Sequence, residues 1–413
     1  MKPSHITRKT CRLCGSTDLS LALSLQPTPI GDNYLTKERL GEPEEVFSLD
    51  LLACAKCGQV QLRDVVSPDL LYSRFPYVTS ISVGLPEHFR RFAEKVMNDY
   101  EIRAGSLVVE IGSNEGPMLR AFLERGCRVL GVEPAGEIAR AATDSGVPTL
   151  PKYFTKTLAK EILAEHGPAS VLAANNVLAN IDDLDDVVAG INVLLASDGI
   201  LVMESSYWGS VVQQGLIDTI YHEHLSYFSV SPLNDFFLRH GLQVLDAEWN
   251  ANKGGSIRLT IQRTGGSRPA RPAVAERIAL EQRERIHQPI AFDSCRKRLD
   301  TVTAQLQKMV AGFKQNSLSI AGYGASVGTT TMIYELRLGG AVEWLFDDNP
   351  RKFGTCSPGF QIPCVPSEKL EESRPGCVVV FAWRYFDQIR QKHPAFEKGI
   401  GRYVLPLPEA KMV

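Results

Sequence analysis

Residues 107–116 read LVVEIGSNEG, an apolar strand followed by a loop that contains two glycines. Gly112 and Gly116 allow the backbone of this loop to pass close beneath a ligand. Glu133 ends the next predicted strand, 23 residues after Glu110, where a carboxylate can accept hydrogen bonds from ribose hydroxyls. This layout predicts a Rossmann-like nucleotide site at the carboxyl ends of a parallel sheet.

The loop favours a cationic cofactor over a pyrophosphate. It is not a G-x-G-x-x-G loop, because Ser113, Asn114 and Glu115 fill its middle. The carboxylates of Glu110 and Glu115 would repel a pyrophosphate and attract a positively charged group. The sequence therefore favours S-adenosylmethionine over NAD, with Glu110 beside the methionine ammonium, directly or through water. A purely structural turn between a strand and a helix is the alternative.

Strand and helix patterns alternate on both sides of this loop, which is typical of a parallel sheet covered by helices. Asn175 and Asn176 end the strand VLAANNV, the next strand end expected to face the cofactor. Their amides can bind the amino-acid part of the cofactor without adding charge, or they can cap the following turn. Two later runs, LQVLDAEW and SIRLTIQRTG, predict an antiparallel hairpin at the sheet edge.

A second strand, glycine loop, helix and strand follow a charged helical region that ends near Lys314. The composition changes near Thr264, where we place a domain boundary. The loop within SIAGYGASVG precedes a strand that ends at Asp347 and Asp348. Such a loop can bind a dinucleotide, so an NAD-dependent oxidoreductase is one alternative function. Similar loops also occur in Rossmann-like domains that bind nothing there.

Two C-x-x-C pairs near the amino terminus predict a metal site. Cys11 and Cys14 form the first pair, Cys54 and Cys57 form the second, and 39 residues separate the pairs. Zinc prefers four thiolates in a tetrahedron, and each pair supplies two sulfurs from one turn. Four cysteines leave no coordination position for a substrate, so we expect a structural zinc ion. Unrelated reduced cysteines are the alternative.

The composition of this 413-residue chain is that of an ordinary globular protein, with 44% hydrophobic and 22% charged residues. The formal net charge of −2 gives no general attraction to nucleic acid or to an anionic membrane. The basic amino terminus is not followed by an apolar run, so we expect no signal peptide and a cytoplasmic location. We expect a small-molecule substrate and neither a nucleic-acid nor a membrane partner. The oligomeric state is not predicted.

Residues 221–224 read YHEH and lie among aromatic side chains. The pattern is not H-E-x-x-H, because the second histidine comes too early for two ligands on adjacent helical turns. In an extended segment His222 and His224 would share a face, so a metal pair is one alternative. Partly buried polar residues in a loop are another. We favour general acid–base chemistry, to which a near-neutral imidazole is well suited.

The order of these motifs resembles that of the sugar-nucleotide C-methyltransferases of deoxysugar biosynthesis. The resemblance covers nearly the whole chain and rests on the cysteine pairs and on LQPTPIGDNYL, FPYVTS, EIGSNEG, GVEPA, NNVLANIDDL, YHEHLSYFS, GGSIR, GYGAS, DDNPRKFG, PGFQIP and FAW. It implies an α/β protein in which a class I methyltransferase domain of Rossmann-like fold follows a zinc-binding module. A carboxy-terminal Rossmann-like domain then helps to hold the nucleotide-sugar. We set the boundaries at residues 1–80, 81–264 and 265–413.

The resemblance also implies C-methylation of a nucleotide-linked 4-keto-deoxysugar. The ketone acidifies the neighbouring C–H, a base removes the proton, and the enolate takes up the methyl group in line. The implied base is His224. Tyr221 and Glu223 position this base or shuttle its proton, and Tyr77 lines the sugar pocket. An O- or N-methyltransferase acting on a sugar or natural product is an alternative. An inactive protein that keeps the cofactor fold is another.

Three positions depart from the pattern of this family. Asn180 stands where the family often has a histidine, Lys253 replaces the first residue of a common His-Gly-Gly-Ser run, and Val327 replaces a lysine. We expect Asn180, Lys253, His222 and Tyr323 to bind the substrate. Lys253 supplies a cation to the enolate oxygen or to a phosphate, or else it is a solvated surface lysine. Together the departures predict an altered acceptor.

Overall fold

The structure, a computed structural model, describes residues 3–72 and 84–413. Tyr77 and the rest of FPYVTS lie outside these ranges. The described residues form sheets of two, four, seven and six strands, which confirms the predicted α/β class. In the two described ranges, no helix combines the length and the apolar character needed to cross a bilayer.

The amino-terminal module is a small antiparallel sheet. Its elements are β1 (His5–Thr7), β2 (Leu19–Thr28), β3 (Phe47–Cys54), β4 (Val60–Leu62), β5 (Asp64–Val66) and α1 (Pro68–Tyr72). Strand β3 alternates buried and half-buried side chains, as a strand with one face on a core must. The outer partner of β4 is a strand at Ser226–Tyr227, which comes from the distant YHEH segment. The module therefore extends its sheet with a strand from the central part of the chain.

The central sheet carries the glycine loop at residues 112–116. Its region contains β6 (Leu107–Ile111), β7 (Arg128–Val132), β8 (Thr149–Leu150), β9 (Ala169–Asn175), β10 (Leu195–Ser206), β11 (Ser226–Tyr227), β12 (Leu242–Asn250) and β13 (Ser256–Arg263). Seven strands lie in the order β12-β13-β10-β9-β6-β7-β8, and β11 joins the amino-terminal sheet instead. Strands β6 to β10 pair in parallel, whereas β12 and β13 pair antiparallel at the edge. The predicted edge hairpin is confirmed.

Helices cover both faces of the central sheet. They are α2 (Leu85–Asp99), α3 (Pro117–Leu123), α4 (Gly136–Asp144), α5 (Lys156–His166), α6 (Leu184–Leu194), α7 (Trp208–Gln214) and α8 (Val230–Arg239). Helix α2 buries Phe89, Phe92 and Val96 on one face, as its sequence period predicts. These side chains belong to a core cluster that includes Val108 of β6. The packing holds the strand that leads into the glycine loop.

A second parallel sheet forms the carboxy-terminal domain. Its region contains α9 (Pro272–Glu284), α10 (Pro289–Gln315), β14 (Ile320–Tyr323), α11 (Val327–Glu335), β15 (Leu345–Asp347), β16 (Cys364–Pro366), α12 (Leu370–Ser373), β17 (Cys377–Val380), α13 (Phe386–Lys392), β18 (Arg402–Leu405) and β19 (Lys411–Met412). The strand order is β16-β15-β14-β17-β18-β19, and every neighbouring pair is parallel except β18 with β19. This topology agrees with the predicted Rossmann-like character.

The second glycine loop packs against the central domain. A Cβ built on Gly328, in the first turn of α11, would lie 2.2 Å from the carbonyl oxygen of Asp218. Thr331 Oγ1 donates to the carbonyl of Ile220 at 2.7 Å, and the carboxylate of Asp218 pairs with Arg384. A pyrophosphate on a Rossmann fold needs an open helix start. Here backbone from the segment that leads into YHEH covers that start.

Candidate active site

The four cysteine sulfurs of the two C-x-x-C pairs lie within 4.8 Å of one another. Cys11 and Cys57 have their Sγ atoms 3.6 Å apart, and so do Cys14 and Cys54. Zinc–sulfur bonds of about 2.3 Å in a tetrahedron place the sulfurs about 3.8 Å apart. The spacing and the all-thiolate donor set therefore fit a zinc ion.

Glu133 is held at the end of β7 by backbone donors from two loops. Asn114 N donates to Glu133 Oε2 at 3.0 Å, and Ala135 N donates to Glu133 Oε1 at 2.9 Å. Each carboxylate oxygen keeps acceptor capacity beyond one hydrogen bond. The side chain thus keeps acceptor capacity at a strand end, and its contact with ribose hydroxyls stays a prediction.

Glu110 and Asn175 meet at the carboxyl ends of two adjacent strands. Asn175 Nδ2 donates to Glu110 Oε1 at 3.3 Å. Within the described residues, Glu110 Oε2, Asn175 Oδ1 and Ser113 Oγ are buried without a hydrogen-bond partner. Burial raises the pKa of Glu110 to about 8. A buried carboxyl and two further polar atoms in need of partners fit the ammonium and the other polar groups of the methionine part of S-adenosylmethionine.

The backbone of the glycine loop requires its two glycines. Gly112 and Gly116 have φ angles of +67° and +71°. A Cβ on Gly112 would lie 2.6 Å from the side chain of Val177, and one on Gly116 would lie 2.7 Å from that of Val147. Any larger residue would therefore displace the loop that follows β6.

Asn176, after β9, has a φ angle of +53°. Its backbone N–H donates to the carbonyl oxygen of Glu204 at 2.7 Å.

His224 has a defined tautomer. Its Nδ1 lies 2.9 Å from the carbonyl oxygen of Thr219, and because a carbonyl only accepts, Nδ1 carries the proton. Nε2 therefore holds a lone pair, which accepts a hydrogen bond from the Tyr221 hydroxyl at 2.8 Å. Burial, and then the charge of Lys253, lower the pKa of His224 to about 3. The ring is a neutral imidazole with Nε2 available as a base.

Glu223 is a buried carboxyl of the YHEH segment. Its Oε2 is buried and lacks a hydrogen-bond partner within the described ranges. Burial, with the charge of Asp32 adding to it, raises the pKa of Glu223 to about 7, against the opposing charge of Lys352. Lys352 Nζ bonds Asp32 at 2.6 Å. Glu223 can thus hold or release a proton near neutral pH.

His222 faces the amino-terminal module. Its Nε2 lies 3.5 Å from the carbonyl oxygen of Phe47, and the two rings meet edge to face with centroids 5.6 Å apart. Burial lowers the pKa of His222 to about 4. Because His222 and His224 use different partners, the structure does not arrange them as a metal pair. The expected contact of His222 with substrate stays a prediction.

Lys253 lies in a 3-10 turn at Asn252–Gly254 and has a φ angle of +52°. The side chain is close enough to His224 for its charge to lower the pKa of the imidazole. Burial also lowers the pKa of Lys253 to about 8. Lys253 is half-buried rather than fully exposed, and its charge acts on the candidate base; its catalytic role stays a prediction.

Two other expected substrate ligands lie in different surroundings. Asn180 has a buried Oδ1 without a partner in the described residues, and its 3-10 turn packs against β11. Tyr323 is buried in the carboxy-terminal sheet, where its hydroxyl donates to Asp348 at 3.0 Å and lies 3.3 Å from His393 Nε2. The geometry keeps Asn180 near the YHEH segment and gives Tyr323 partners within its own domain. Both substrate contacts stay predictions.

Glu204 is a site residue that sequence reasoning missed. It is buried at the end of β10, and its carboxylate accepts hydrogen bonds from four side chains: His88 Nε2 at 2.7 Å, Arg258 Nη2 at 2.8 Å, Asn250 Nδ2 at 3.0 Å and Asn252 Nδ2 at 3.1 Å. Burial favours the neutral acid, but these partners outweigh it and hold the pKa of Glu204 at about 2. Glu204 thereby anchors the turn that carries the candidate lysine. The signal in the sequence was a carboxylate inside an apolar strand.

Three family models match the chain in order. A zinc binding domain matches residues 11–72, a methyltransferase domain matches residues 86–247, and a C-methyltransferase C-terminal domain matches residues 251–408. With the spacing of the four sulfurs, the first match identifies a structural zinc site. The second identifies the central sheet as a class I methyltransferase domain, as predicted.

A curated relative matches nearly from end to end. C-methyltransferase NovU of Streptomyces niveus is 33% identical over 404 residues, which are 98% of this chain and 96% of the relative. Among solved structures, a Burkholderia thailandensis 1,6-didemethyltoxoflavin-N1-methyltransferase is 18% identical, with a TM-score of 0.36 over 51% of this chain and 97% of its own. Magnesium protoporphyrin IX methyltransferase of Synechocystis is 13% identical, with a TM-score of 0.33 over 44% and 81%.

Proposed function

Since this chain belongs to the S-adenosylmethionine-dependent C-methyltransferases, we propose that its acceptor is a nucleotide-linked 4-keto-deoxysugar. The methylated atom is the carbon next to the ketone. The acceptor is inferred from the order of motifs along the chain, above all from residues 221–229. When bound, S-adenosylmethionine supplies an electrophilic methyl group for in-line transfer to the enolate carbon.

The orientation of His224 carries this proposal. Thr219 holds the Nδ1 proton, so only Nε2 can take a proton from the sugar carbon. Burial and the nearby charge of Lys253 make Nε2 a weak base in the free enzyme. An enolate oxygen that develops beside Lys253 would neutralise this charge. The basicity of His224 would therefore increase as the carbon loses its proton.

Tyr221 is proposed as the shuttle between the sugar carbon and His224. Its hydroxyl already donates to Nε2 at 2.8 Å. As the hydroxyl oxygen accepts the proton of the C–H bond, it passes its own proton to Nε2. The C–H electron pair becomes the enolate, so the step leaves an enolate and a protonated imidazole. Such proton transfer between positioned groups typically contributes 10²–10⁴-fold to a rate.

The surrounding residues are proposed to orient the enolate and the base. Lys253 supplies the cation for the enolate oxygen, and Glu204 holds the turn of Lys253 through Asn252. Glu223 adds a protonatable carboxyl close to neutral pH within the same buried turn. The expected contacts of Asn180, His222, Tyr323 and Tyr77 with the nucleotide-sugar belong to the same proposal.

The test is a screen of nucleotide 4-ketosugars with trideuteromethyl-labelled S-adenosylmethionine. We expect one acceptor to gain a single CD₃ group, detected by mass spectrometry, and NMR to locate it on the carbon next to the ketone. A CD₃ group on oxygen or nitrogen would contradict the proposal and favour the O- or N-methyltransferase alternative. The matched control is His224→Asn, which should bind the labelled cofactor and yield no labelled product.

A further inference from the structure

We propose that Arg12 is a positioning residue that couples the zinc-bound cysteine turn to the orientation of His224. The inference rests on the proposed function, since it takes His224 to be the base. It assigns to the zinc module a part in catalysis in addition to stabilising the fold. Arg12 makes this connection through the carbonyl of Leu225 and the carboxylate of Asp182.

Arg12 is a buried cation with contacts in three parts of the chain. Its Nη1 donates to the carbonyl of Leu62 at 2.8 Å and to that of Leu225 at 3.1 Å. Its Nε donates to Asp182 Oδ1 at 2.8 Å. The side chain of Arg12 is fully buried, so these hydrogen bonds are shielded from water. A buried guanidinium with fixed acceptors is a rigid connection.

Leu225 directly follows His224, so a shift of its carbonyl also shifts the backbone that carries the proposed base. Leu62 N donates to this same carbonyl at 2.9 Å, and the next two residues form β11, which pairs with β4. The backbone that carries the base is thus bound to the amino-terminal module by a strand pair and by Arg12. A shift of the module would be transmitted to the imidazole.

The position of Arg12 depends on the metal site. It lies between Cys11 and Cys14, which are two of the four zinc ligands. Arg12 N also donates to Gln61 Oε1 at 2.8 Å, which joins this turn to β4. A zinc ion fixes both ends of the short cysteine turn. The backbone of the Cys11–Cys14 turn, which the metal ligands hold, therefore sets the direction of the guanidinium.

Asp182 connects Arg12 to the cofactor side of the site. It lies in the loop after β9, seven residues beyond Asn175, which contacts Glu110. Its second oxygen accepts from Arg8 Nη1 at 2.8 Å. Arg12 therefore bridges the loop behind the cofactor strand and the backbone of the base. The two reacting partners must be held at a fixed separation for methyl transfer, and a misplacement of about 1 Å can cost about 10²-fold in rate.

Arg8 is a matched control. It binds the same carboxylate and comes from the same module, but it is partly exposed. In the described residues its side-chain hydrogen bonds go to Asp182 and to the carbonyl of Thr10. Loss of an ion pair with Asp182 is common to the Arg8 and Arg12 variants. Loss of base positioning should affect only Arg12 variants.

The experiment compares Arg12→Met, Arg12→Lys and Arg8→Met in the full-length zinc-loaded protein. Histidine labelled with ¹⁵N, with His224→Asn used for assignment, reports the tautomer of His224 without any substrate. For each variant we also measure the zinc content, the S-adenosylmethionine affinity and kcat on the acceptor. For Arg12→Met we expect unchanged zinc content, cofactor affinity within about twofold and kcat lower by about 10- to 100-fold. The His224 signals should lose their single Nδ1–H tautomer.

Arg12→Lys keeps the charge but cannot reach both carbonyls and Asp182 in one geometry, so it should recover kcat only in part. It also serves as the test if Arg12→Met fails to fold. Arg8→Met should keep the tautomer and kcat of the wild type. Wild-type tautomer and kcat in folded Arg12 variants would overturn the proposal, and equal losses in Arg8→Met would do the same. If no ketosugar is methylated by the wild type, the proposed function fails, while the tautomer comparison still decides the role of Arg12.

Discussion

The hydroxyl of Tyr221 lies 2.8 Å from Nε2 of His224, and the two ring centroids are 4.1 Å apart with the ring planes tilted by 34°. The same tyrosine therefore orients the imidazole and contacts the nitrogen that we propose takes the proton. Thr219 fixes the other nitrogen, so rotation of the ring would break two hydrogen bonds. This arrangement holds a neutral imidazole in one orientation before any substrate binds.

Tyr221→Phe should lower kcat by about 10- to 100-fold, because the proposed relay hydroxyl is lost while the tilted ring contact is kept. S-adenosylmethionine affinity should not change, since Tyr221 is not among the residues around Glu110. Steady-state kinetics and isothermal titration calorimetry measure the two quantities. Tyr403→Phe, a buried tyrosine of the carboxy-terminal sheet, is the control. Full kcat in Tyr221→Phe would exclude the relay.

Binding of S-adenosylmethionine should release a proton from Glu110. Burial raises the pKa of this carboxyl to about 8, so it is mostly protonated in the free enzyme at pH 6.5. A bound ammonium favours the carboxylate, so affinity should rise between pH 6 and 8 and level off above pH 8.

Calorimetry in two buffers of different ionisation enthalpy counts the protons released on binding. Glu110→Gln is the control, because its amide does not titrate. The variant should bind more weakly at pH 8 and lose the proton release that comes from this site. Proton release equal to that of the wild type would show that Glu110 is not the titrating group.

Lys253→Met should lower kcat by about tenfold or more, since the cation proposed to face the enolate oxygen is removed. Lys253→Arg should retain part of the activity, because the charge remains although its geometry differs. Lys314→Met, at an exposed lysine, is the matched control. Unchanged KM and kcat in Lys253→Met would contradict a catalytic role for Lys253.

Cys54→Ser should reduce the zinc bound by the purified protein and lower its thermal midpoint, because one of four thiolates is lost. Metal analysis and a melting curve test this directly. Cys127→Ser alters a cysteine outside the cluster and should keep the wild-type zinc content. Equal zinc content in Cys54→Ser and the wild type would remove Cys54 from the metal site.

Local patterns were enough to predict the fold class, the edge hairpin and the four clustered cysteines, and to place Glu110 and Glu133 at the carboxyl ends of adjacent strands. Each of these depends on residues close in sequence or at the ends of adjacent strands. The glycine loop is an example, because the positive φ angles of Gly112 and Gly116 follow from a turn of a few residues. The contact between Asn175 and Glu110 follows from parallel neighbours whose carboxyl ends meet.

Long-range hydrogen bonds could not be predicted. Glu204 gathers partners from α2 and from the turn after β12, and Arg12 reaches the carbonyl of Leu225 from 213 positions away. The contact between His222 and Phe47 could not be predicted either, because it depends on where the amino-terminal sheet packs. A sequence period shows which residues share a face but not which distant element covers it.

The most direct test of the account is hydrogen exchange at the carbon next to the ketone of the acceptor in deuterated water. S-adenosylhomocysteine would occupy the cofactor site, so that proton abstraction is observed without methyl transfer. We predict deuterium uptake with the wild type and an exchange rate lower by about 10²–10⁴-fold with His224→Asn, at unchanged S-adenosylmethionine affinity. Exchange and methylation at the wild-type rate in His224→Asn would contradict it.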